Sequence, residues 1–105
     1  MQYHLVFTRI NPTLRIDTLR ICTLESGQAV SVGADDFLAV VSSDIPALSD
    51  FFHKSDISDE LYIYHSNIKD ILDCLVNFKF SVDYFDNNLV IVFDYEQKEK
   101  ASEKK

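Results

Sequence analysis

The sequence predicts an α+β domain, with a mixed, mostly antiparallel sheet and about two helices packed on one face, and three observations lead there. Between Asn67 and Val76 the apolar residues Ile68, Ile71, Leu72, Leu75 and Val76 recur at intervals of three and four, the period of one helix face. Several other segments alternate apolar and polar residues with period two, as half-buried strands do. The two kinds of segment interleave as several strands, helix, strand, helix, strand, strand, an order that does not repeat a βαβ unit and so favours segregated helices on a sheet with at most one parallel pair.

Taken in order, Gln2 to Ile10 alternates, with Tyr3, Leu5 and Phe7 on one face and His4, Val6 and Thr8 on the other, until Asn11-Pro12 breaks it. Thr13-Leu14-Arg15-Ile16-Asp17 is echoed by Thr18-Leu19-Arg20-Ile21-Cys22. A five-residue echo fits neither period, so as a strand it changes face once per copy and implies a bulge or a strand covered on both sides; Asn-Pro also allows a helix start here, but the threonines favour strand. Glu25-Ser26-Gly27-Gln28 reads as a turn, Ala29 to Val32 as a short strand and Gly33 to Asp36 as a second turn. Phe37 to Val41 is ambiguous: its β-branched end favours strand, the reading adopted, whereas Asp35 and Asp36 would suit a helix start. Asp44 with Pro46 behind it opens a helix reaching about His53, with Ile45, Leu48, Phe51 and Phe52 inward.

Lys54 to Glu60 is a polar, acidic loop, and Leu61 to His65 a compact strand. The helix that follows has Ser66 or Asn67 as its cap and Asp70 near its start to complement the dipole. A hairpin closes the domain. With Asn87-Asn88 as its two-residue loop, Phe80, Val82 and Tyr84 face Tyr95, Phe93 and Ile91 on the core side. Leu89 to Phe93 is apolar at every position, as in a central strand covered on both faces. Residues 1–96 form the domain, and residues 97–105, a charged tail without apolar anchors, are expected to be disordered.

A chain of 105 residues, 47% apolar and with only two glycines and two prolines, buries roughly 65% of its unfolded surface and needs no metal or disulfide to fold. Cys22 and Cys74 each sit in an apolar run and read as small hydrophobes. No apolar run is long enough for a membrane span or a signal sequence, so the expected compartment is the cytoplasm. The formal charge of −7 is unevenly spread: residues 1–33 carry three arginines against two acids, residues 34–96 thirteen acids against three lysines, and residues 97–105 four lysines against two glutamates. A groove for nucleic acid needs the opposite sign, so direct binding to phosphate backbones is not expected and a basic protein partner is.

Motifs for chemistry are sparse. The glycines at 27 and 33 do not form a phosphate loop, and His4, His53, His65, Cys22 and Cys74 lack metal-ligand spacing, so no cofactor or metal is expected. Asp56, Asp59 and Glu60 immediately precede Leu61-Tyr62-Ile63-Tyr64-His65. With Leu61 and Ile63 turned to the core, Tyr62 and Tyr64 project from the other face with Glu60 beside them. Tyrosines supply contact area at little rotamer cost and clustered acids steer a basic partner, so Asp56, Asp59, Glu60, Tyr62 and Tyr64 are the candidate partner-binding residues. The plainer reading has the tyrosines packed under a helix and the acids serving solubility.

The expected function is therefore inhibition of a basic protein by occlusion, in the way an immunity protein neutralises a toxin nuclease, and the chain is not expected to be an enzyme. Two alternatives stand beside it. One is a small enzyme or ligand-binding domain with a pocket between helix and sheet, using His65, Cys74 or Glu60; a Cys74–His65 or Cys74–His53 pair would have to meet in space. The other is a subunit that self-associates through a sheet edge.

Overall fold

The computed structural model describes residues 2–11, 13, 15–56 and 60–95. Among the described residues seven strands, β1 (Gln2–Asn11), β2 (Ile16–Glu25), β3 (Gln28–Ser31), β4 (His53–Lys54), β5 (Leu61–Tyr64), β6 (Phe80–Phe85) and β7 (Asn88–Asp94), are joined by two α-helices, α1 (Ala34–Val41) and α2 (Ile68–Cys74). Short 3₁₀ helices run over Pro46–Phe51 and His65–Asn67. The strands form one sheet in the order β4-β5-β2-β1-β7-β6, with β3 also paired to β2. Every pairing among the described residues is antiparallel, so the expected α+β class holds while the parallel pair does not occur. The charged tail at 97–105 lies outside the described residues.

Period-two patterning decides which face is covered. Tyr3, Leu5 and Phe7 of β1 stand opposite Thr23, Ile21 and Leu19 of β2 and opposite Phe93, Ile91 and Leu89 of β7, and all are buried. Against this face lie Phe37 and Val41 of α1, Leu48 of the first 3₁₀ helix, Ile68 and Ile71 of α2, and Leu75 just beyond it. Phe37 is the hub: its ring meets Tyr3 edge-on at 4.9 Å, Phe93 at 6.2 Å and Phe52 in a stack at 6.0 Å. Burying a ring of that size contributes about 3 kcal/mol before any aromatic geometry is counted.

Several elements differ from the sequence reading, each for a local reason. Residues 34–41 are helix, not turn and strand: Asp35 and Asp36 occupy the first turn, and Phe37 and Val41, four apart, are buried while Ala39 is exposed. The expected helix to His53 is a 3₁₀ helix that stops at Phe51, and His53 begins β4. The bulge expected in the echo does not occur in β2; the irregularity is in its partner β1, where the pairing slips by one residue between Arg9 and Asn11. Strand β2 still puts Ile16 on one face and Leu19 and Ile21 on the other; Leu14 lies outside the described residues.

The closing hairpin turns at Asp86-Asn87, both with positive φ as a type I′ turn demands, instead of at Asn87-Asn88. Phe80, Val82 and Tyr84 consequently pair with Phe93, Ile91 and Leu89. Moving the turn by one residue shifts each partner by two, so the face is preserved. These three side chains nonetheless stay exposed, because β6 is the sheet edge beyond the helices. Strand β7 is internal; Val90 on its other face is buried, but no described helix covers that face. Val76 falls past the end of α2 and is 68% exposed, and neither helix has a side-chain hydrogen bond at its N-cap.

Candidate functional site

The helices among the described residues lie on one face of the sheet, and the candidate residues belong to the other. Leu61 and Ile63 of β5 are buried on the helix side, so alternation sends Tyr62 and Tyr64 to the opposite side, where β2 presents Thr18 and Ile16 directly opposite them. Strand β4 adds His53 opposite Tyr62. The three rings form a cluster: His53 stacks on Tyr62 at 5.2 Å and meets Tyr64 edge-on at 5.4 Å, and the two tyrosines are 6.0 Å apart and nearly perpendicular. Tyr64 is 43% exposed and Tyr62 partly buried, so the cluster is both fixed by its own packing and open to contact.

The acidic residues divide. Glu60 is exposed next to Tyr62, and the two line a shallow depression of about 220 Å³ together with Ile16, Thr18, Ser55 and Leu61. Its backbone carbonyl accepts the Ser55 amide at 3.0 Å, which holds the ends of the acidic loop together. Asp56 is exposed in that loop, and Asp59 lies outside the described residues. His53 is the contributor that sequence reasoning missed, since placing it at a helix end hid its pairing with β5; a histidine two residues past a 3₁₀ helix gives no local sign of which strand it will join.

A second cluster was also missed. Asp17 is only 3% exposed and occupies the core-facing register of β2 between Arg15 and Leu19, opposite Arg9. Its Oδ1 is 3.5 Å from Arg9 Nε and its Oδ2 is 3.1 Å from His65 Nδ1, while Arg9 Nη2 stands 2.6 Å from the His65 ring nitrogens. An arginine can only donate, so Nδ1 protonated toward Asp17 with Nε2 accepting from Arg9 satisfies the chain of contacts. A carboxylate so deep needs such compensation. The Asp–His geometry resembles that of a general base, but Arg9 occupies the side of the ring where a substrate proton would have to arrive. The signal was legible: Asp17 sits in step with Leu19 and Ile21 at period two.

The third place is a cleft of about 690 Å³ where β3 and β5 share one edge of β2 and diverge around Arg20 and Ile21. It is lined by Gly33, Asp35 and Asp36 at the start of α1 and by Lys54 and Glu60, with Lys54 Nζ 3.1 Å from Asp35. Of the three groups expected to be reactive, only Glu60 lines it. His65 is bound to Asp17 and Arg9, and burial, followed by the charges of Asp70, Asp73 and Asp50, pushes the Cys74 thiol up, the opposite of what a thiolate nucleophile needs. No group of three or more potential metal ligands occurs among the described residues.

Comparison with protein-family models, with curated proteins and with solved structures finds no match to this chain. No helix among the described residues is long and apolar enough to cross a membrane.

Proposed function

We propose that this chain is a small acidic binding protein of the cytoplasm that inhibits a basic partner protein by occlusion, in the manner of an immunity protein neutralising a toxin nuclease. The observation that carries the reading is the His53–Tyr62–Tyr64 cluster on the sheet face that no described helix covers, with Glu60 next to Tyr62 and Asp56 exposed in the loop after β4. Rings already packed on one another lose little freedom on binding, which suits them as anchors, while the carboxylates of Asp56, Asp59 and Glu60 take the places of phosphates against the partner's lysines and arginines. Unpaired thiols at Cys22 and Cys74 agree with a reducing compartment.

The test is kinetic. With the basic partner in hand from affinity capture in the native cell, Tyr62→Ala or Tyr64→Ala should raise the off-rate by the equivalent of about 2 kcal/mol, and the Asp56→Asn, Asp59→Asn pair should lower the on-rate. The captured partner should also lose its activity when bound. Binding untouched by all four substitutions, or a partner that remains active in the complex, refutes the reading.

A ligand-binding or small-enzyme domain is the second reading, favoured by the charged cleft of about 690 Å³ between α1 and the sheet, which Glu60 lines together with the Lys54–Asp35 pair. Its discriminating substitution is Asp36→Ala, which alters the cleft lining and leaves the aromatic cluster alone.

A further inference from the structure

The two sides of the sheet end very differently. On one side the outermost strands are short, β4 with two residues and β3 with four. On the other side β6 runs for six residues, pairs only with β7 among the described residues, and contains no proline to blunt it. The amide of Asp94 donates to the carbonyl of Lys79 at 3.0 Å, so Lys79, and by alternation Ser81 and Asp83, direct their backbone groups at β7. Phe80, Val82 and Tyr84 therefore turn theirs to the open edge. Their side chains, on the helix-bearing face but beyond the helices, are 39%, 38% and 75% exposed.

We infer that this edge is the interface of a homodimer in which β6 of two copies pair antiparallel about a two-fold axis at Val82. The sequence of the strand is self-complementary in that register. With Val82 opposite Val82 of the second copy, Phe80 meets Tyr84 and Tyr84 meets Phe80, so three apolar side chains lie against three. The outward amides and carbonyls of those residues then satisfy one another. On the opposite face Asp83 stands across from Ser81, and Lys79 lies diagonal to Asp83 of the other copy, opposite charges within reach. Moving the axis to Asp83 would set two carboxylates face to face; moving it to Ser81 would set Lys79 directly opposite Asp83 but leave Tyr84, the most exposed of the three apolar side chains, opposite Phe78, outside the strand. An isologous contact of this kind closes at two copies. It joins two sheets into one and leaves both aromatic clusters free, since β4 and β5 are at the far end of the strand order. The dimer does not depend on the proposed inhibitory function.

The experiment is sedimentation equilibrium and light scattering on the full chain across a wide concentration range, with Val82→Lys as the first variant. The wild type should be a dimer that dissociates on dilution, and Val82→Lys, which puts two cations on the axis, should be a monomer with an unchanged circular dichroism spectrum. Should that variant misfold, the charge pair decides: Asp83→Lys alone should weaken the dimer by at least about twofold, and Lys79→Asp with Asp83→Lys should restore it. A wild type that is monomeric at every concentration, a folded Val82→Lys that remains dimeric, or a swap that fails to restore pairing would overturn the proposal.

Discussion

At the scale of single residues, burial separates side chains that look alike in the sequence. Phe93 is 1% exposed, between the rings of Tyr3, Phe37 and Phe78, whereas Val76 points into solvent although its spacing matches the helix face. Phe93→Ala should cost about 3 to 5 kcal/mol in urea unfolding and Val76→Ala less than about 0.5 kcal/mol. Tyr95 supplies a pH signature. Its hydroxyl donates to Asp44 Oδ2 at 2.6 Å, and burial, then that hydrogen bond and the Asp44 charge, push it up to about 12. An unfolded tyrosine releases its proton near pH ~10, so from there to about 12 the unfolded state holds fewer protons and stability falls as pH rises. Tyr95→Phe should lose about 1 kcal/mol at neutral pH and show a shallower alkaline decline, with Tyr3, also raised by burial, keeping part of it. Equal alkaline slopes in the two proteins would show that Tyr95 ionises freely in the fold.

Elements were legible where one period ran long enough to exclude the other. Strand β1 and the inward side of β5 follow directly from alternation, and Ser26-Gly27 forms the turn between β2 and β3 that its residues announce, with φ of 54° and 81°. Residues 34–41 were misread because Phe37-Leu38-Ala39-Val40-Val41 is a short apolar run, and such a run carries no period of its own. The two glycines make the element-scale prediction. Gly33 is the N-cap of α1 with φ of −67°, an added Cβ would come no closer than 3.6 Å to Asp36 Oδ2, and Gly33→Ser sets up a capping box with Asp36. Thermal and urea unfolding should show a gain of about 0.5 to 1 kcal/mol. Gly27→Ala, although nothing lies within 4 Å, should lose about 1 kcal/mol because the left-handed backbone itself resists a side chain. A gain at both positions would mean that the turn relaxes out of the left-handed region.

For the whole molecule the governing features are a sheet whose described helices pack on one face and a charge concentrated in residues 34–96. If the acids guide a basic partner, association should be fast at low salt and slow steeply as the Debye length contracts from about 30 Å at 0.01 M to about 8 Å at 0.15 M. Stopped-flow on-rates across that range, with off-rates nearly constant, are the expected result. A flat on-rate would reduce the acidity to a solubility device and move attention to contacts that do not depend on charge.

By itself the sequence determined the class of fold, which residues of β1 and β5 face inward, and that Tyr62 and Tyr64 leave the core together, since all of these follow from periodicity within one segment. Only the tertiary structure decided that His53 completes the aromatic cluster, that Arg9 and His65 converge on Asp17, and that β6 stands at the edge with its apolar side chains uncovered. The physical reason is common to all three. A side chain's period says which face it takes, but its neighbours are set by strand order, and strand order is a competition among non-local pairings that no single segment encodes.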